Sequence, residues 1–136
     1  MALAWADVRA AVVGLGVPLD DLVVMGSAPL LACGALSSVG DVDVVARGES
    51  WTQVAARGEV TQGLLGDRMV DLPGGIQVFS GWHGQSADAV VASSTWVDGV
   101  RVGSVDAVVA YKRRLARPKD VEHLKAYERW LTRGSS

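Results

Sequence analysis

Apolar and polar residues follow two rhythms along this chain, and each change of rhythm marks an element. From Leu3 to Leu15 the apolar positions recur at helical spacing and stop near Gly14 and Gly16, which predicts an amphipathic helix. Leu22-Val23-Val24-Met25 is apolar throughout and strand-length, and Gly26-Ser27 breaks it. A short helix from Ala28 to Ala35 follows, since Pro29 is tolerated in a first turn and Gly34 lies near the end. Asp41 to Ala46 alternates into a second strand closed by Gly48. Ser50-Trp51-Thr52-Gln53 has capping-box spacing and predicts a helix to about Ala56.

The second half is richer in strands. Arg68–Leu72 and Ile76–Phe79 flank Pro73-Gly74-Gly75, a strong turn signal. Asp88–Ala92 suits a short helix, and Thr95–Val97 with Val100–Val102 forms a hairpin around Asp98-Gly99. Ser104 caps a helix from Val105 to about Ala116, Pro118 interrupts it, and a last helix runs to about Leu131. With no repeat, low-complexity tract or linker, this order predicts one α/β or α+β domain over residues 1–133. Residues 134–136, Gly-Ser-Ser, are expected to be a flexible tail or a cloning remnant.

Composition narrows the class. Of 136 residues, 49% are hydrophobic and 21% charged, which fits a chain with a real core and excludes a disordered one. The longest apolar runs, Leu22–Met25 and Val42–Ala46, are far too short to span a membrane, so no membrane partner is expected. The N-terminus lacks a basic stretch followed by an apolar one, so no secretory signal is expected. Cys33 has no disulfide or zinc-ligand companion; it reads as a small buried residue in a reducing, cytoplasmic protein. The net charge of −2 is uneven: between Tyr111 and Arg133 eight basic residues face three acidic ones, so +5 there opposes −7 elsewhere. Such a segment either faces a polyphosphate or nucleic acid or forms the solvated side of two helices.

Chemistry concentrates at Gly26-Ser27 and Asp41-Val42-Asp43. Residues two apart on a strand share a face, so Asp41 and Asp43 project together while Val42 and Val44 turn toward the core. Two adjacent carboxylates repel unless a cation neutralises them, and Mg²⁺ favours one or two carboxylates plus phosphate oxygens. At Gly26-Ser27 the backbone can approach an anion with free N–H groups. A metal on one side and phosphate on the other make a triphosphate site; the bland alternative is a solvated strand end. Lys112 continues the apolar stripe of Val105, Val108 and Val109, so it must either snorkel to water or meet a negative partner.

Gly26-Ser27, a spacer helix, then Asp41-x-Asp43 resembles the signature of the polymerase-beta-like nucleotidyltransferase superfamily. The similarity is greatest to its small bacterial members: aminoglycoside, lincosamide and minimal nucleotidyltransferases. The stretch from Ser104 to Asp120, ending Arg117-Pro118-Lys119-Asp120, is similar to their closing element, so the resemblance spans roughly Leu22 to Leu131. It implies a mixed sheet flanked by helices and closed by a C-terminal helical pair. It also implies Mg²⁺ on Asp41 and Asp43, and a nucleoside triphosphate, with ATP the favoured donor, held by Gly26, Ser27, Lys112 and, more weakly, Lys119.

The pattern departs at one place. Transferring members carry a third acidic residue on a later strand, where it takes the acceptor proton or completes a second metal site. The matching strand, Gly75 to Phe79, has Gln77 there, and an amide cannot accept a proton at neutral pH. If the turn centres on Gly74, Asp71 lies opposite Gln77 and shares its face. Asp71 then supplies the missing carboxylate, whereas a slip of one residue puts it on the wrong side.

The expected activity is therefore transfer of a nucleoside monophosphate to an acceptor hydroxyl on a small molecule, protein or RNA. The alternative is a fold that has lost transfer and serves as a nucleotide, nucleic-acid or protein binding module. A chain this small has no separate acceptor domain, which leaves room for a homodimer that supplies the rest of the pocket. His83 either flanks that pocket or is a plain loop histidine. Trp82 either packs or stacks on a substrate ring. Trp5, Trp51, Trp96 and Trp130 read as core or partner-facing anchors, and His123 carries no signal.

Overall fold

The fully apolar runs become the middle of a sheet, the place for strands with no polar face to spare. The computed structural model describes residues 2–63 and 67–134. In chain order the elements begin α1 (Trp5–Val13), β1 (Leu22–Val24), α2 (Ala28–Ala32), β2 (Val42–Ala46), α3 (Gly48–Ala55) and β3 (Val60–Gln62). They continue β4 (Arg68–Leu72), β5 (Ile76–Phe79), β6 (Gly81–Trp82), β7 (Gln85–Ser86) and α4 (Ala87–Ala92). The last are β8 (Thr95–Val97), β9 (Val100–Val102), α5 (Val105–Leu115) and α6 (Pro118–Gly134).

Seven strands form one mixed sheet in the order β3-β4-β5-β2-β1-β9-β8, with β6 and β7 paired apart as a small hairpin. β2 lies parallel to β5 and β1 parallel to β9; the other neighbours are antiparallel. The fold is α+β.

One sheet face carries the main core. Val24, Val42, Val44, Val70 and Val78 pack there against Val8 and Val12 of α1 and Trp51 and Val54 of α3. The opposite face is covered only in part. Val23, Met25 and Val45 lie under Val90 and Val91 of α4, while α2, α5 and α6 join through Leu30, Val108, Val109, Leu124 and Trp130. Between these two covered zones the face stays open, and the polar members of β2 and β5 point into the gap.

Several boundaries differ from the sequence reading for identifiable reasons. Leu3 is not helical; it exchanges both backbone hydrogen bonds with Val39 at 2.8 and 2.9 Å, and α1 stops at Val13. α2 ends at Ala32 rather than Ala35, and Asp41 precedes β2. Ser50 does not cap α3. The helix starts earlier, with Arg47 at the cap, and the fully buried Ser50 hydroxyl donates to the Pro18 carbonyl at 2.8 Å. A tertiary hydrogen bond displaced the local one. Strands β3, β6 and β7 were not expected. α6 begins at Pro118, the favoured first-turn position, and runs through Gly134, which is therefore helix rather than tail. The rest of the expected tail, Ser135-Ser136, lies outside the described residues.

Other elements match: β4, β5, β8 and β9 have the expected bounds, and Ser104 accepts from the Ala107 N–H to cap α5. Among the described residues no helix is long and apolar enough to cross a membrane. Cys33 is half-buried, with its thiol against the Leu30 carbonyl. Trp51 is buried in the core, but Trp96 is 51% exposed and lies under the Arg101 guanidinium rather than anchoring a core.

Candidate functional site

The gap in the second sheet face is a cleft of about 670 Å³. Its floor comes from β2 and β5, whose parallel register sets Asp43 beside Gln77 and Val45 beside Phe79. Asp41 lies at the entrance to β2 and lines the same cleft, so the two carboxylates converge as their spacing implied. Burial pushes Asp43 up to about 6 and repulsion from Asp41 adds to it, while Lys119, Lys112 and Arg117 pull in the other direction. Neither carboxylate has a salt-bridge partner among the described residues. This is a concentration of negative charge held without direct neutralisation.

Gly26 closes one side. Its φ of +63° belongs to the left-handed region, and a Cβ there would collide with the Asp43 carboxylate oxygen. Gly26→Ala is therefore expected to lower stability by roughly 1–3 kcal/mol in urea unfolding, through strain and a displaced Asp43. Among the described residues the backbone N–H groups of Gly26 and Ser27 have no hydrogen-bond acceptor. α2 is only five residues long, so its dipole adds little to these two free N–H groups.

The facing wall is basic. Lys112 is only 3% exposed, and its ammonium donates to Ser27 Oγ at 2.9 Å and to Asp120 Oδ1 at 3.1 Å. The negative partner that a core-facing lysine requires is thus supplied by the chain itself. Asp120 is fully buried and also accepts from Arg117 through Nε at 2.7 Å and the backbone N–H at 3.1 Å. Burial alone would raise Asp120, but the hydrogen bonds from Arg117 and Lys112 outweigh it and hold the carboxyl well below the usual range. One carboxylate thereby orients two cations, and Lys119, in the first turn of α6, lines the cleft as a third.

His123 enters through this network. Its Nδ1 lies 3.3 Å from Ser27 Oγ, and burial, with Lys112 and Lys119 nearby, lowers its pKa. The contact joins residues 96 positions apart, a separation that no local pattern announces.

The β4–β5 turn register is the expected one: Asp71 pairs with Gln77, and the Gln77 amide donates to Asp71 Oδ1 at 2.9 Å. Gln77 lines the cleft, while the exposed Asp71 sits one strand further out and does not. Asp67, which sequence reasoning overlooked, does line it, as do Trp82 and His83 at the hairpin and Tyr111 on α5. Asp67 precedes β4 with no periodic or motif signal around it.

The two carboxylates are oxygen donors of the kind Mg²⁺ takes. They lie together without a cationic partner, and no group of three acidic, histidine or cysteine side chains is found among the described residues. Asp41 and Asp43 could supply at most two of the oxygen ligands Mg²⁺ takes, the rest being positions that phosphate and water normally fill. Protons compete for Asp43 below its raised value. Mg²⁺–nucleotide affinity is therefore expected to be level above pH 7 and to fall toward tenfold per unit as pH drops below about 6, measured by titration calorimetry. With an ordinary carboxylate the fall would begin near pH 4.

No family model, curated protein or solved structure matches the chain.

Proposed function

We propose that the chain is a Mg²⁺-dependent nucleotidyltransferase, moving a nucleoside monophosphate from a nucleoside triphosphate to an acceptor hydroxyl. The observation that supports this most is the meeting, in one cleft, of unneutralised Asp41 and Asp43 with the wall formed by Ser27, Lys112, Arg117 and Lys119. Negative and positive groups face each other across a space that a metal-bound triphosphate would fill, satisfying both.

The acceptor oxygen bonds to the α-phosphorus, the α–β anhydride breaks, and pyrophosphate leaves. Mg²⁺, when bound, supplies charge neutralisation at the phosphoryl oxygens. Lys112 and Ser27 hold the departing phosphates, with the ammonium donating and the Gly26 and Ser27 N–H groups adding fixed donors. Arg117 and Lys119 offset the charge that builds on pyrophosphate. Gln77 positions the acceptor by hydrogen bonding but takes no proton; Asp71, outside the cleft, orients the Gln77 amide, and the proton of the acceptor hydroxyl passes to solvent at the cleft mouth. Much of the acceleration then comes from alignment.

A second reading has its own support. Gln77 stands in register with Asp43, where transferring enzymes place a carboxylate, and this favours a module that binds nucleotide without transfer. Incubation with Mg²⁺, each α-labelled triphosphate and mixed small-molecule, protein and RNA acceptors separates the two, with binding measured in parallel. Label on an acceptor supports transfer. Magnesium-dependent binding without label supports the module, and absence of both removes the nucleotide site.

A further inference from the structure

Beyond the phosphate-binding groups, the cleft carries an aromatic wall that neither the metal nor the phosphates would use. Phe79 lies two residues past Gln77 on the same face of β5, and its ring meets Trp82 edge-on at 5.2 Å. Trp82 meets His83 edge-on at 4.7 Å, and the His83 imidazole lies over Tyr111 at 4.3 Å with the planes 33° apart. These rings line the cleft, with Trp82 and Tyr111 only half-buried and His83 exposed.

His83 holds its place against a backbone preference. It occupies the first position of the two-residue turn between β6 and β7 at a φ of +47°, where asparagine or glycine is normally found. A histidine in this strained region brings the imidazole to the cleft at a conformational cost. Beside it, Asp67 lies against the hairpin because Gly81 has no side chain; a Cβ there would come within 2.6 Å of the Asp67 carboxylate. Tyr111 directly precedes Lys112 on α5, so one turn of helix sends an ammonium to the phosphate wall and a ring to the aromatic one.

We propose that Trp82, His83, Tyr111 and Asp67 seat the nucleobase of the donor nucleotide, stacking its ring and accepting a hydrogen bond from its exocyclic amine. Flat, half-open ring faces match a heteroaromatic base, which stacks on aromatic side chains whatever its identity. A carboxylate beside them accepts from the amino groups of adenine, cytosine or guanine but finds no amine on uracil. The site thus selects amino-bearing bases, an assignment that rests on the nucleotide reading above.

Titration calorimetry with MgATP, MgUTP and magnesium tripolyphosphate tests both, on the wild type, His83→Gly and Tyr111→Ala. Glycine relaxes the positive φ, so His83→Gly is expected to melt no lower than the wild type and to remove only the ring. MgATP is expected to bind the wild type more tightly than MgUTP or tripolyphosphate. Both variants should weaken MgATP by about tenfold to a hundredfold and leave tripolyphosphate unchanged. Wild-type affinity for MgATP in His83→Gly, or equal binding of MgATP and MgUTP to the wild type, overturns the base site. Failure of wild-type protein to bind even tripolyphosphate overturns the nucleotide reading itself.

Discussion

Asp43→Ala is expected to reduce Mg²⁺-dependent label transfer by a thousandfold or so, the scale on which loss of one fixed electrostatic group acts in an active site. The same substitution should leave the fold at least as stable. The Asp43 carboxyl titrates near 6 in the folded chain, above its ordinary value of 3.8. The folded state therefore binds that proton more tightly than the unfolded chain does. Its stabilising effect is complete below about 4 and is lost as pH rises through about 6, beyond which the ionised group burdens the fold. Removing it lifts that burden and frees the space beside Gly26. Thermal melts at pH 8 without Mg²⁺ should show an equal or higher midpoint for the variant. Retained transfer would end the assignment of Asp43, and a falling midpoint would mark it as a structural residue instead.

Asp120→Ala is expected to act in the opposite sense, costing about 3–5 kcal/mol in urea unfolding because it strands a buried ammonium. Lys112 is 3% exposed and Asp120 fully buried, so the ion pair is largely withdrawn from water. The pH dependence is also reversed relative to Asp43. Asp120 is held below its ordinary range, so its contribution is complete above about 4 and disappears as pH falls through the lower folded value. Replacing both partners, Lys112→Met with Asp120→Leu, should recover much of the stability, since an apolar pair of similar volume can match a buried ion pair. The double variant should nevertheless bind tripolyphosphate poorly. Full binding there would remove Lys112 from the phosphate wall.

Much of the site could be read from residue order because local rules govern it. The Asp41/Asp43 spacing, the break at Gly26 and the Pro73-Gly74-Gly75 turn each depend on near neighbours, and the turn placed Asp71 opposite Gln77. Strand β3 escaped notice because Val60, Thr61 and Gln62 are all exposed at the sheet edge, leaving no buried face to pattern them. The β6–β7 hairpin was missed because His83-Gly84 lacks the asparagine or aspartate that usually announces such a turn. Ser50 misled for a related reason: its spacing suits a cap, but Pro18 from 32 residues away takes its hydroxyl. His123 and Asp67 owe their positions to chain packing, which neither periodicity nor composition encodes.

The Lys112–Ser27 and His123–Ser27 contacts span 85 and 96 residues. During synthesis the glycine–serine bend and the acidic pair leave the ribosome long before the helix that completes them. A nascent chain ending before Asp120 would lack the buried carboxylate that pairs with Lys112, leaving Ser27 alone to hold the ammonium. On the proposed reading, competence for nucleotide is therefore expected to arrive in one late step, when α6 docks.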